Sequence, residues 1–225
     1  MRSYRQFCGL ARALDVLGER WTLLVVRELL LGPRRYTDLL EELPGITTNL
    51  LAKRLKELER AGLVARVEPE PGDPVRRWRL TEDGAALEPA IMELARWGGR
   101  RLDRPRRGDR VDLRWAMLSL KRRYLGGRSL VVEVDAGERR FELALEPAYL
   151  RVSDRASGAA ALRLSGDADV VREALFMGGA ARLRAEGRLR VAGAEADWEA
   201  FLAAFAPRQL PPPPAVPAAR STVGA

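Results

Sequence analysis

The chain of 225 residues contains no histidine and one cysteine, and no apolar run approaches the length of a membrane span. Each absence removes a class of function. Without histidine, the commonest general base and the commonest metal ligand are missing. A single thiol, Cys8, permits neither an intrachain disulfide nor a cysteine-rich zinc site. No paired-carboxylate constellation or phosphate-binding loop stands out, so the residues do not point to an enzyme, and no metal or cofactor is expected. The lack of a leader-like segment or a spanning run predicts a cytoplasmic protein without membrane insertion.

Positive charge is plentiful, with 39 Lys and Arg against 31 Asp and Glu, a net charge of +8. It is unevenly spread. Between Arg100 and Arg128 eleven basic residues face three aspartates, an excess of eight that equals the net charge of the whole chain. Within it, the linker Arg100 to Arg110 reads as a second site of phosphate contact, as a mobile basic tether, or as a solubilising linker that touches nothing. The length suits two domains of about a hundred residues each. The tail from Pro207, with four consecutive prolines at 211–214, is expected to be extended or disordered.

The segment from Gly45 to Leu80 carries the clearest local signals. Thr47 is suited to cap a helix, with Ile46 stapling onto Leu51. Gly62 stands where a left-handed residue would close that helix, and Leu63 can fold back on Leu58. At helical spacing, Leu51, Leu55 and Leu58 share one stripe, while Asn49, Lys53, Lys56 and Arg60 lie opposite and Arg54 on the flank. Residues 64–68 and 75–80 are strand-like, separated at 69–74 by proline, glycine and acidic residues that cannot continue a sheet. Trp78 and Leu80 should face inward, which places Arg77 and Arg79 on the other face, with Arg76 beside them. Taken singly, the charged helix face also reads as solvated surface, with Glu57 and Glu59 supplying intrahelical pairs. Together, an exposed Asn-Lys-Lys helix and an arginine-bearing hairpin suit a winged helix docked on double-stranded DNA.

The flanking sequence extends this pattern. Leu10, Leu14 and Leu17 recur at helical spacing before Gly18. Trp21 to Leu31 is largely apolar apart from Arg27 and Glu28, as for a buried helix. Thr37 is expected to cap a helix containing Leu39, Leu40 and Leu43, and Pro44-Gly45 to turn the chain into the next helix. Arg34, Arg35 and Tyr36 precede that helix, where phosphate is often held. Pro89 is expected to kink a closing helix.

These residues have a family look. The run Phe7 to Leu24, with Gly18-Glu19-Arg20-Trp21-Thr22 at its centre, resembles the opening of HxlR-type winged helix-turn-helix regulators of the MarR-like superfamily. Arg27-Glu28-Leu29-Leu30 followed by Gly32 to Leu39 resembles them too, as does Leu80 to Gly84 followed by Leu87, Pro89, Leu94 and Trp97. Gly9 departs from the pattern, which usually has proline after the cysteine. The resemblance implies a transcriptional regulator that binds operator DNA as a homodimer, with the first and closing helices forming the dimer. On this reading Arg35, Tyr36, Thr47, Thr48, Asn49, Lys53, Arg54, Lys56, Arg76, Arg77 and Arg79 are the candidate DNA contacts. Some relatives sense oxidants or electrophiles through a cysteine near position 8. The resemblance therefore raises redox sensing by Cys8, whose pKa Arg5 and Arg12 would lower, against the plain reading of a small buried residue.

From Val111 the pattern changes. Leu113, Ala116, Met117 and Leu120 suggest a helix; 129–134, 139–145, 148–152, 161–165 and 188–191 read as strands, 167–177 and 198–205 as helices. This predicts an α+β domain with a mainly antiparallel sheet. Leu162 to Asp167, and Ala185 to Gly193 before a closing helix, resemble sterol carrier protein-like domains. That resemblance implies an apolar tunnel and a small hydrophobic or lipid-like effector. Trp115, Met117, Leu118, Phe141, Phe176 and Met177 are the candidate wall, each of which also reads as ordinary core.

The expected organisation is thus a mainly-α winged helix-turn-helix domain at 1–103, a basic linker at 104–110, a sterol carrier protein-like domain at 111–206 and a tail at 207–225. The expected function is a dimeric, DNA-binding regulator modulated by an apolar ligand. A thiol-based sensor, and a lipid carrier in which the second domain does the work, stay open as alternatives.

Overall fold

A computed structural model describes residues 3–68, 75–102, 106–154 and 157–206. The predicted hairpin turn at 69–74 and the proline-rich tail lie outside these residues, as do residue 103 and the start of the linker at 104–105.

The N-terminal half opens with α1 (Gly9–Leu17), α2 (Thr22–Leu29), α3 (Tyr36–Glu42) and α4 (Thr48–Arg60). A two-stranded antiparallel ribbon follows, β1 (Val64–Val67) with β2 (Arg77–Leu80), then α5 (Glu82–Ala85) and α6 (Glu88–Gly99). Its core gathers Val25, Val26 and Leu29 of α2, Leu39, Leu43, Ile46, then Leu51, Leu55 and Leu58 of α4 and Ile91 of α6. Burying each such leucine is worth about 1.5–3 kcal/mol.

Two local expectations are corrected here. The cap of α3 is Arg35, not Thr37: the Asp38 carboxylate accepts the Arg35 backbone N–H at 3.1 Å, which sets the helix start two residues earlier. Pro89 produces no kink. It sits in the first turn of α6, where a missing N–H costs nothing, and a break after α5 replaces the kinked helix.

The C-terminal half begins with α7 (Leu113–Ser119) and a 3₁₀ turn at Leu120–Arg122. It continues through β3 (Leu130–Asp135), β4 (Arg140–Leu145), β5 (Leu150–Ser153), β6 (Leu162–Ser165), α8 (Ala168–Phe176), α9 (Ala180–Ala185), β7 (Arg190–Ala192) and α10 (Glu195–Ala203). The sheet order is β5-β4-β3-β6-β7, with β3 and β6 parallel and the other pairs antiparallel. Val132 pairs with Leu143 on one side and Leu162 on the other, so one face of the sheet is apolar across its width. Phe141, Leu143 and Leu164 on that face pack with Met117, Val171, Leu183, Trp198 and Phe201 of the helices. Helix α9, framed by glycines, had no sequence signal of its own.

The halves meet across buried charge. Arg114 of α7 has no exposed surface, and its guanidinium contacts Asp112 at 2.7 Å, Glu28 of α2 at 3.6 Å and Glu42 of α3. Glu28, equally buried, also accepts from Arg27 Nε at 2.8 Å and Trp115 Nε1 at 2.9 Å. Burial holds the Arg114 guanidinium down to about 10, against the opposing pull of Glu28. Part of the basic stretch after Arg100 is paired within the protein, while Arg100, Arg101, Arg106, Arg107, Arg110 and Arg128 stay exposed. Arg110 donates to the Glu41 carbonyl, Lys121 pairs with Glu88, and Arg123 donates to the carbonyls of Ala206 and Leu175. Leu31, between α2 and α3, is buried in the C-terminal core.

Candidate nucleic-acid interface

Helix α4 is built as its sequence indicates at both ends. The Thr47 hydroxyl accepts the Leu50 N–H at 3.4 Å. At the other end Gly62 has φ +74°, and the Leu63 N–H donates to the Leu58 carbonyl at 3.0 Å while the Gly62 N–H donates to Glu59. That pair of bonds is a Schellman stop. Leu51, Leu55 and Leu58 point inward, and Thr48, Asn49, Lys53, Lys56 and Arg60 are exposed.

Arg54 is a correction. It is only 5% exposed, with Nε donating to the Arg20 carbonyl at 3.1 Å and its terminal nitrogens held by Glu19 and Glu57. It fastens α4 to the loop before α2 and presents nothing to a ligand. Arg34 is turned inward likewise, between Glu42 and Asp154. Arg35 is exposed, and Tyr36 spends its hydroxyl on the Thr48 carbonyl at 2.6 Å, tying the start of α3 to the start of α4.

The wing register sorts the remaining arginines. Arg66 lies opposite Trp78, and Arg79 opposite Ala65, so Arg66 and Trp78 share one face of the ribbon while Arg77 and Arg79 share the other. Arg76 and Arg79 are exposed and Arg77 is half-buried. A groove of about 460 Å³ runs between α4 and the wing, lined by Tyr36, Asn49, Lys53, Lys56, Arg60, Arg66 and Trp78. Arg66 was not among the candidates. Its guanidinium stacks 4.9 Å from the Trp78 ring centroid and pairs with Glu59 at 3.2 Å. Its position across from Trp78 in an antiparallel pair was the available signal.

Helices α1 and α6 carry exposed apolar side chains. In α1 only Ala11 is buried, while Leu10 and Leu14 are open, as is Phe7 just before it. In α6 Leu94 and Trp97 are exposed by 54% and 57%.

The HxlR-like helix-turn-helix family model matches residues 16–106. The HTH-type transcriptional regulator YvaP of Bacillus subtilis is 39% identical over 93 residues, which are 41% of this chain and 85% of YvaP. The chain belongs to the HxlR-like helix-turn-helix family. A second relative, an HTH-type transcriptional regulator of Mycobacterium tuberculosis, is 45% identical over 107 residues, 47% of this chain. The chain spans 66% of that relative's length. The crystal structure of quinone-bound YodB from B. subtilis matches with 35% identity and a TM-score of 0.36, over 40% of this chain and 96% of its own. The family match covers the N-terminal region, and the C-terminal mixed sheet lies beyond it.

In this HxlR-like chain Cys8 is exposed at the open end of α1. The backbone N–H groups of Ala11 and Leu10 hold its thiol below the ordinary range, so the expected influence of Arg5 and Arg12 is not the cause. The six expected wall residues fall in different surroundings. Met117, Leu118 and Phe141 fill the core, with Phe176 packed against it. Trp115 faces Glu28 and Arg27 of the N-terminal half, and Met177 is 61% exposed. No helix of the described residues is long and apolar enough to cross a membrane.

Proposed function

We propose that the protein is a transcriptional regulator that binds double-stranded DNA as a homodimer. The observation that carries this is the exposed face of α4, with Asn49, Lys53, Lys56 and Arg60 in one groove with Arg66 of the wing. In this reading Thr48 and Asn49 reach base edges in the major groove, and Lys53, Lys56 and Arg35 engage phosphate. Arg76 and Arg79 contact the backbone or the adjacent minor groove. Thr47 and Tyr36 hold the helix in place, and Arg54 is left out of the contact set. The apolar residues of α1 and α6 support the dimer.

The boundaries at 1–103, 104–110 and 111–206 are proposed on the two separate apolar clusters; among the described residues Leu30 packs against both, and Leu31 lies in the C-terminal one. The sterol carrier protein-like assignment is kept for architecture alone, supported by a mixed sheet with one helix-covered face. An apolar effector has no comparable support.

The test is selection of a duplex from a random pool, followed by affinity against salt. Lys53→Ala and Lys56→Ala should each weaken binding to every sequence and reduce the slope of log K against log salt by about 2, one phosphate contact being lost from each protomer of the dimer. Sedimentation of the free protein should give a dimer, and Trp97→Asp a monomer. Failure to select any duplex, or slopes unchanged in both lysine variants, would sink the proposed docking.

A further inference from the structure

The α2–α3 connection is clasped from the C-terminal half by Asp154, just past β5. Its backbone N–H donates to the Leu31 carbonyl at 3.3 Å, and its carboxylate grips the Arg34 guanidinium at two points, 3.0 Å and 2.7 Å. The Nη1 contact is a hydrogen bond and the Nη2 contact a close ion pair, so hydrogen bonding and charge both tie the guanidinium to Asp154. Arg34 is 3% exposed, so little water competes for the contact. The Arg34 backbone is in turn part of the wing: its N–H donates to the Trp78 carbonyl at 2.9 Å, and the Trp78 N–H donates back at 2.7 Å. Trp78 lines the groove beside α4.

We infer that Asp154 is a positioning residue for DNA binding, acting through Arg34 to fix the wing against α4. It touches no DNA. The inference rests on the DNA-binding reading and adds to it that the C-terminal half sets the wing's geometry. The second half is thus a brace, mechanically continuous with β2.

The test uses the full chain and a duplex selected by the wild type from a random pool. Asp154 is partly exposed, so Asp154→Asn should fold. It should weaken duplex affinity about tenfold, or about 1.4 kcal/mol, with the salt slope unchanged because no phosphate contact is lost. Hydrogen exchange should accelerate in peptides covering 33–36 and 77–80. Asp154→Glu should recover both, and Arg151→Gln, at an exposed β5 position, should alter neither. Wild-type exchange at 77–80 in Asp154→Asn would overturn the inference. So would tighter binding, which would mark Asp154 as a carboxylate repelling phosphate. If the wild type selects no duplex, the DNA-binding reading fails and the positioning role with it. Exchange would then report only whether the mechanical link exists.

Discussion

Replacing Arg114 by methionine removes the cation at the centre of the buried cluster while keeping its volume roughly filled. The carboxylates it leaves are Glu28, Glu42 and Asp112. Breaking a buried pair by deleting one partner typically costs about 3–5 kcal/mol, because the charge left behind is uncompensated. Here each carboxylate keeps a second arginine: Arg27 at 2.8 Å from Glu28, Arg34 at 3.2 Å from Glu42 and Arg110 at 3.2 Å from Asp112. That places the loss at the lower end, about 3 kcal/mol. For a chain of this size it corresponds to a fall in Tm of about 6–12 °C. Urea unfolding followed by circular dichroism and by tryptophan fluorescence reads it, since Trp115 sits in the cluster and reports on the junction. The comparison variant is Lys121→Met, which removes a more exposed pair with Glu88 and should cost no more than about 1 kcal/mol. A loss below about 1 kcal/mol for Arg114→Met would refute the reasoning, because it would mean that the junction is wet enough to solvate its own carboxylates.

Two further outcomes follow from side chains described above. Arg54→Ala should destabilise the protein by about 2 kcal/mol in urea unfolding, since the Arg20 carbonyl and Glu57 lose their donor, yet leave the salt slope of duplex binding unchanged; a reduced slope would return Arg54 to the contact set. Cys8 should alkylate with a pH midpoint below that of a free thiol, because the α1 N–H groups favour the thiolate, and the midpoint should rise in urea when that helix end is lost. Equal midpoints in folded and unfolded chain would remove the helix from the explanation.

How much was legible depended on how local the determining contacts are. Helix α4 was readable because Thr47, Gly62 and Leu63 encode its two ends within a few residues, and its inward stripe follows from spacing alone. The strands of the second half were readable from alternation, and most boundaries moved by a residue or two. The fate of Arg54 was not readable, since it depends on Glu19 and Arg20, far away in sequence. Arg34 and Arg114 were opaque for the same reason: a run of basic residues looks identical whether its carboxylate partners come from solvent-facing neighbours or from another domain. Two capping schemes compete at the start of α3, and Asp38 reaching back to Arg35 prevails over Thr37. Large or flexible apolar side chains such as Met117 and Phe141 suit a pocket wall and a core equally, and no local signal separates the two.

The central strand β3 has two partners of different kinds. It pairs with β4 through a short hairpin, and with β6 only after the chain has passed through β5 and returned parallel. On a ribosome the first pairing can form as soon as Leu145 emerges, whereas the second must wait for Ser165. In that interval one edge of Leu130–Asp135, rich in valine, has its backbone groups open to any other extended chain. Fragments that end before Ala161 should therefore be more prone to aggregate than those carried through Ser165, in which β6 covers β3 and leaves open only its own shorter edge, later taken by β7.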